Sequence, residues 1–322
     1  MSCTAAAVES EEMGDCYFPC LERLSISSCP QLRQMPKCAL PNLIDLEIRD
    51  CATLISLPRR LLSLKKLLHY NLDNLEEWCD AVVVGEAHFL CLEELSICRC
   101  PRMRRWPNNT LPVLAEFDVS ECEGFDGLPS LLPSLGMLCL RGVSNEMLLK
   151  SLPSLTSLPF LSITNIPSLT SVPRGILQQL PQLKYLAITD CKELVTLLSE
   201  EDAYGLLQQQ QEEEEEEEDL PSTLTYLRFD GCYNLKSLPR GLHALTSLHT
   251  LEIWNCPHLK SLPDQRLPSS LQKLDISNCP VLKERCMEDI HTYHHRRRRR
   301  LVSSTKVHLA GAATMVHFSG GL

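Results

Sequence analysis

The sequence predicts an α/β solenoid, in which about eleven short units stack along one axis and form a curved parallel β-sheet on the concave side. Three observations lead to this prediction. About 60 of the 322 residues are leucine, whereas glycine is scarce and aromatic residues make up only 5%. One spacing of apolar residues recurs along most of the chain, and cysteine returns at the same point of many copies. A single extended array therefore fits the chain better than two separate globular domains.

The repeat frame is clearest in its first copy, which reads Leu21-x-x-Leu24-x-Ile26-x-x-Cys29-x-x-Leu32-x-x-Met35-Pro36. The later copies begin at Leu43, Leu64, Leu92, Leu114, Leu135, Leu158, Leu183, Leu224, Leu248 and Leu271. Neighbouring copies are about 21 to 28 residues apart, except where an acidic run lengthens the interval after Leu183. This spacing is that of leucine-rich repeats.

Each part of the unit predicts one element. In L-x-x-L-x-I the second and third apolar residues alternate with polar ones, which is typical of a short strand with one buried face. The cysteine follows at a tight turn, where a small thiol can lie inside and donate a hydrogen bond to a carbonyl. The final L-x-x-L-P segment returns along the convex side as irregular or short helical turns, which proline ends. One unit cannot bury its own leucines, so its neighbours complete the core.

Cysteine usage follows the repeat. Eight of the 17 cysteines occupy the turn position, namely Cys29, Cys51, Cys100, Cys122, Cys191, Cys232, Cys256 and Cys279. We expect reduced structural thiols there. A metal site at Cys98 and Cys100 is not expected, because no second pair stands at a zinc-like spacing.

Units such as LERLSISSCPQLRQMP, LIDLEIRDCATLISLP and LHTLEIWNCPHLKSLP resemble the leucine-rich repeat region of plant intracellular nucleotide-binding leucine-rich-repeat disease resistance proteins. The resemblance covers about residues 18–282. It implies protein recognition in innate immunity, with a pathogen effector, a guarded host protein or a receptor partner bound across the concave face. The sequence departs from that family in having no G-x-x-x-x-G-K-[ST] phosphate loop, so it is expected to lack the nucleotide-binding domain.

Two alternative functions remain open at this stage. A substrate adaptor for ubiquitin ligation would need an F-box-like helical module, for which the segment before the first repeat has little room. A non-functional truncated receptor fragment is the other alternative, because terminal repeats without polar caps expose leucines.

Three segments are expected. Residues 1–17 form a disordered N-terminal segment, residues 18–286 form the solenoid, and residues 287–322 form a basic, disordered tail. Within the solenoid, residues 199–220 form an acidic low-complexity loop that is too charged to fold. Arg296–Arg300 is similar to nuclear-localisation and nucleic-acid patches, although a disordered tail or a gene-model error explains it more simply.

Charge and motifs narrow the function class. The net charge is -10, which gives no general attraction to nucleic acid or to anionic membranes. None of the common catalytic motifs is present, and the 10 histidines show no partner spacing. We therefore expect no enzyme activity, no cofactor, no metal and no small-molecule substrate. The lack of an N-terminal apolar signal segment and of a membrane-length apolar run favours a cytoplasmic protein, with a nuclear location as the alternative.

Aromatic residues on the outward side of the strands are the first candidate contacts. Phe160, Tyr185 and Tyr226 precede the second leucine in three consecutive repeats, and Trp254 lies outward in the next repeat, two strand positions further on. Aromatic anchors are enriched at binding hot spots. The alternative is that the rings stack only to stabilise the sheet.

Charged outward residues form the second candidate set. One column is expected to hold Arg49, Arg99, Arg141 and Arg228. The column one outward position earlier is expected to hold Glu252, together with Glu47, Asp118 and Asp275. A concave surface of mixed sign suits a protein partner better than nucleic acid.

Overall fold

Eleven strands, parallel and paired in chain order, form the body of the protein. The computed structural model describes residues 18–35, 40–57, 61–76, 89–104, 111–125, 127–129, 131–144, 151–174, 176–202, 220–262, 267–283, 304–309 and 316–319. The eleven strands are β1 (Arg23–Ser27), β2 (Asp45–Arg49), β3 (Lys66–Tyr70), β4 (Glu94–Cys98), β5 (Glu116–Ser120), β6 (Met137–Arg141), β7 (Phe160–Thr164), β9 (Tyr185–Thr189), β11 (Tyr226–Asp230), β12 (Thr250–Trp254) and β13 (Lys273–Ser277). The predicted solenoid of about eleven repeats is confirmed.

Shorter elements lie outside this sheet. Strands β8 (Val172–Arg174) and β10 (Leu198–Asp202) pair with each other in a separate parallel sheet of two strands. Single turns of 3-10 helix occupy Leu152–Ser154 and Leu177–Gln179, and a longer one occupies Arg240–Ala244. These are the short helical turns expected between strands.

All eleven strands pair residue for residue, without a register shift. Equivalent side chains therefore form five columns across the sheet, which we number one to five from the first to the last residue of each strand. Columns two and four point inward, as Leu46 and Ile48 show with 1% and 0% exposure, and columns one, three and five line the concave face. The core is continuous because each layer of leucines packs on the next.

The cysteine turn has the geometry that the sequence predicts. The Sγ of Cys51 donates to the carbonyl of Arg49 at 3.3 Å, and that of Cys122 to the carbonyl of Ser120 at 3.2 Å. Between strand and cysteine the backbone passes through one residue of positive φ, such as Asp50 at 53°. Burial raises the pKa of the Cys191 thiol to about 11, so that this thiol stays protonated and inert at neutral pH.

Gly124 provides a test of how tightly successive turns approach. A Cβ at this position would lie 2.6 Å from the carbonyl oxygens of Pro101 and Met103 in the preceding repeat. Because backbone atoms must then move, we expect Gly124→Ala to lower the free energy of unfolding by about 1–2 kcal/mol in urea titrations. The matched control is Gly136→Ala, whose nearest atom would be the Ala115 oxygen at 3.5 Å. Equal midpoints for the two variants would contradict the close approach.

Two expected segments differ in part from the structure. Residues 199–202 of the expected acidic loop belong to β10, and Leu220 at its other end is buried. The expected disordered tail contains β14 (Ser304–Leu309), which pairs in parallel with β13, and β15 (Val316–Ser319), which pairs antiparallel with β14. An open sheet edge offers unpaired backbone groups, which favours such an addition. The remaining residues of both segments, and residues 1–17, lie outside the described residues.

Candidate protein-interaction face

A stack of three aromatic rings is the most prominent feature of the concave face. Phe160, Tyr185 and Tyr226 occupy column one of β7, β9 and β11, as the sequence predicts. Their ring centroids are 4.1 and 4.2 Å apart, and each pair of ring planes is inclined by 9°. All three side chains are half-buried, so one edge of the stack faces solvent. We call these three residues the ring stack.

A groove of small side chains runs beside the ring stack. Column three of the same region holds Cys139, Ser162 and Ala187, which leaves a low floor. The opposite wall is column five, where the hydroxyls of Thr164 and Thr189 are hydrogen bonded at 2.8 Å. The groove thus has an aromatic wall, a small-residue floor and a polar wall. Its direction is along the solenoid axis, because columns run perpendicular to the strands.

The polar wall widens into a depression of about 570 Å³ where the strands end. Arg141, Lys192 and Arg228 line it together with Asp190 and Asp230. Asp230 is already engaged, since it accepts hydrogen bonds from Arg228 at 2.6 Å and from Asn255 at 2.7 Å. With three cations and two carboxylates in its lining, this end of the face is mixed in sign and slightly basic.

Glu252 anchors a polar network at one end of the groove. Its side chain is only 7% exposed, and its carboxylate accepts hydrogen bonds from the Tyr226 hydroxyl and from Lys273 Nζ at 2.6 Å. Arg228 lies 3.9 Å away. Burial raises the pKa of Glu252, but the hydrogen bonds from Lys273 and Tyr226 and the nearby cations outweigh burial and hold the pKa below its ordinary value. Glu252 is thus a buried anion that orders Tyr226, the last ring of the stack.

Trp254 belongs to this network rather than to the ring stack. Register places Trp254 beside Asp230, in column five, and the Arg228 guanidinium covers its ring at 4.1 Å from the centroid. This contact is a cation–π interaction, which is strengthened when both groups leave water. Trp254 is half-buried and its accessible area is reduced by the arginine.

The expectation that the arginines share one column is wrong. Register places Arg49 and Arg141 in column five but Arg228 in column three. Arg99 lies one residue beyond its strand at a φ of 53°. Arg99 contacts Tyr70 and Glu121, at 2.8 and 2.6 Å, at the edge of the sheet, and Arg49 pairs with Glu47. Of these arginines, Arg141 and Arg228 lie next to the groove, where both line the depression. The carboxylates Glu47, Asp118, Glu252 and Asp275 do share column three, as predicted.

An acidic pocket of about 190 Å³, which sequence reasoning missed as a unit, lies at the other end of the groove. Its lining includes Leu68, Met137 and Cys139 together with the carboxylates Glu94, Glu116 and Asp118. Glu94 pairs with Lys66. Within the described residues neither Glu116 nor Asp118 has a salt-bridge partner. Aligning column one of every repeat would have revealed the change from carboxylates at Glu94 and Glu116 to apolar and aromatic residues between Met137 and Tyr226.

Asp118 yields a stability prediction. Burial in the concave wall raises the pKa of Asp118, and the opposing effect of Arg141 is smaller. A raised folded-state pKa means that ionisation of Asp118 costs stability at neutral pH, and this cost disappears below the ordinary value of 3.8. We expect Asp118→Asn to stabilise the protein at pH 7 by less than about 1 kcal/mol and to have no effect at pH 3, measured by thermal unfolding. Asp275→Asn, which removes a carboxylate near Lys273, should not stabilise.

The repeats match a known family over much of this region. The family model described as plant disease resistance protein RPS2-like, leucine-rich repeats, matches residues 139–280. The matched residues, which are fewer than half of the chain, are thus similar to the leucine-rich repeats of plant disease resistance proteins.

Curated proteins that this chain is similar to are much longer than the matched region. The disease resistance RPP13-like protein 1 of Arabidopsis thaliana is 26% identical over 205 residues, which are 63% of this chain and 16% of the relative. Disease resistance protein RPS4B of the same plant is 22% identical over 267 residues, which are 82% of this chain and 19% of the relative. The matched region is thus less than a fifth of the length of these relatives.

A solved structure, the leucine-rich repeat domain of the type III effector XopL, gives a TM-score of 0.48 at 21% identity, with 82% of this chain and 78% of that chain covered. Among the described residues, no group of three potential ligands could hold a metal ion. No helix among the same residues is long and apolar enough to cross a bilayer.

Proposed function

We propose that this chain is a protein-recognition module in plant defence, and that it binds a protein partner across the concave face without catalysis. The partner would be a pathogen effector, a guarded host protein or a domain of an immune receptor. The observation that carries the proposal is the ring stack beside an open floor of small residues. The proposed place of action is the cytoplasm, or the nucleus if Arg296–Arg300 directs import.

Sheet stabilisation alone accounts for rings that stack across strands. It does not account for the neighbouring column, where Ser162 and Ala187 leave the inner flank of Phe160 and Tyr185 without a bulky neighbour. Aromatic surface next to a floor that a side chain can enter is the arrangement of a binding hot spot. The charges around the groove are mixed in sign, which favours protein partners over nucleic acid.

Affinity purification from infected leaf tissue tests the proposal. Wild type, Tyr185→Ala and Leu131→Ala would serve as baits, since Leu131 is an exposed apolar residue outside the strands, at 58% exposure. We expect the same co-purified proteins with wild type and Leu131→Ala, and a loss of roughly 30-fold or more with Tyr185→Ala, as removal of a hot-spot aromatic residue gives. Equal recovery by all three baits would overturn the proposal.

A further inference from the structure

The acidic pocket and the ring stack lie along one groove. The two ends differ in whether their charged side chains are already paired, and this difference indicates the chemistry of the ligand. At the stack end, Arg228, Asp230 and Glu252 are already engaged in ion pairs. At the pocket end, Glu116 and Asp118 have no salt bridge to any residue in the described part of the chain. A partner can therefore gain ion pairs at the pocket end without competing against pairs already formed.

The walls of the acidic pocket add a second constraint. Leu68, Met137 and Cys139 line the pocket beside the carboxylates, so that apolar and acidic surface are combined in it. A lysine or arginine side chain has the same division, with an apolar stem and a cationic head that remains near water. A stem against Leu68 and Met137 would bring the cationic head to Glu116 and Asp118.

The distance along the groove sets the spacing of the ligand. Asp118 lies on β5 and Tyr185 on β9, which are three strand spacings apart in the sheet order. At about 4.8 Å per spacing this is about 14 Å, which an extended chain covers in about four residues. Residues i and i+4 of an extended chain point to the same side, so that both would face the groove.

We infer that the groove binds an extended segment of a partner protein with a basic residue in the acidic pocket and, about four residues away, an apolar side chain on the small-residue floor beside Tyr185. This inference rests on the proposed function and specifies the chemistry of its ligand. The pattern is Lys or Arg, three variable residues, then an aliphatic or aromatic residue.

Selection from a random dodecapeptide library displayed on phage tests the pattern directly. The immobilised targets would be the full chain as wild type, the double variant Glu116→Gln with Asp118→Asn, and Tyr185→Ala. The matched control is Glu121→Gln, because Glu121 is an exposed carboxylate outside the groove whose partner is Arg99. Circular dichroism checks that every variant is folded.

We expect wild type and Glu121→Gln to enrich peptides with the basic-to-apolar spacing, and the double variant to lose the basic preference. Synthetic versions of the enriched peptides should bind the double variant at least about fivefold more weakly, and this difference should shrink in high salt. Peptides that depend on Tyr185 but show no basic preference would overturn this inference and leave the proposed function standing. Enriched peptides that bind Tyr185→Ala as well as wild type would count against both.

Discussion

In wild type, the free energy of unfolding is expected to fall between pH 6.5 and pH 5, and His69→Leu is expected to abolish most of that fall. His69 occupies column four of β3, the inward column that holds Ile48 on one side and Ile97 on the other, and it is 1% exposed. Burial lowers the pKa of His69 to about 3, from an ordinary value of 6.5. The unfolded chain therefore takes up a proton below pH 6.5 while the folded chain does not.

The sign of this effect is a loss of stability as pH falls from 6.5 toward 3. Each pH unit in that range costs about 1.4 kcal/mol, so the change from pH 6.5 to pH 5 amounts to about 2 kcal/mol. Urea titrations at both pH values measure it. The column accepts leucine, as Leu140 in β6 shows, and Ile97→Leu is the matched control that should keep the wild-type slope. An unchanged slope in His69→Leu would contradict the burial of a neutral imidazole.

Glu252→Gln is the second change with a large expected effect. The substitution removes the negative charge that Lys273 and Tyr226 contact and that Arg228 approaches, and it leaves their donors and charges poorly compensated. We expect the free energy of unfolding at pH 7 to fall by about 2–3 kcal/mol, because breaking a buried ion pair from one side costs several kcal/mol and these partners are partly exposed.

Two controls accompany this prediction. Glu47→Gln changes the same column at a site where the arginine partner is 53% exposed, and it should cost less than about 1 kcal/mol. Because the folded-state pKa of Glu252 is depressed, its contribution is present above the ordinary value of 4.5 and is lost as pH falls through the folded pKa. Equal costs for the two variants at pH 7 would contradict the network.

Local periodicity was sufficient to predict the strands, the core and the ring stack. The alternation in L-x-x-L-x-I fixes which side chains point inward, so that Phe160, Tyr185 and Tyr226 fall in one column by counting alone. The cysteine turn is equally local, because each thiol bonds a carbonyl two residues earlier. Features that depend only on position within one unit are therefore readable from the sequence.

Features that depend on neighbouring units were not readable in the same way. Arg99 was misplaced because the backbone turns into the left-handed region just after β4, which moves the side chain off the strand. The burial of Glu252 follows from Tyr226 on one neighbouring strand and Lys273 on the other, which no single repeat encodes. The acidic pocket joins residues of β3 to β6, and only the register shows that they meet.

The central claim is that the concave face around the ring stack contacts a protein partner. Site-specific photo-crosslinking in plant cells tests it most directly, with p-benzoylphenylalanine at Thr189 on the polar wall of the groove or at Leu131 outside the strands. We predict that irradiation attaches a partner protein to the chain labelled at Thr189, and that Tyr185→Ala in the same chain abolishes the adduct. Adducts at Leu131 without adducts at Thr189 would contradict the claim.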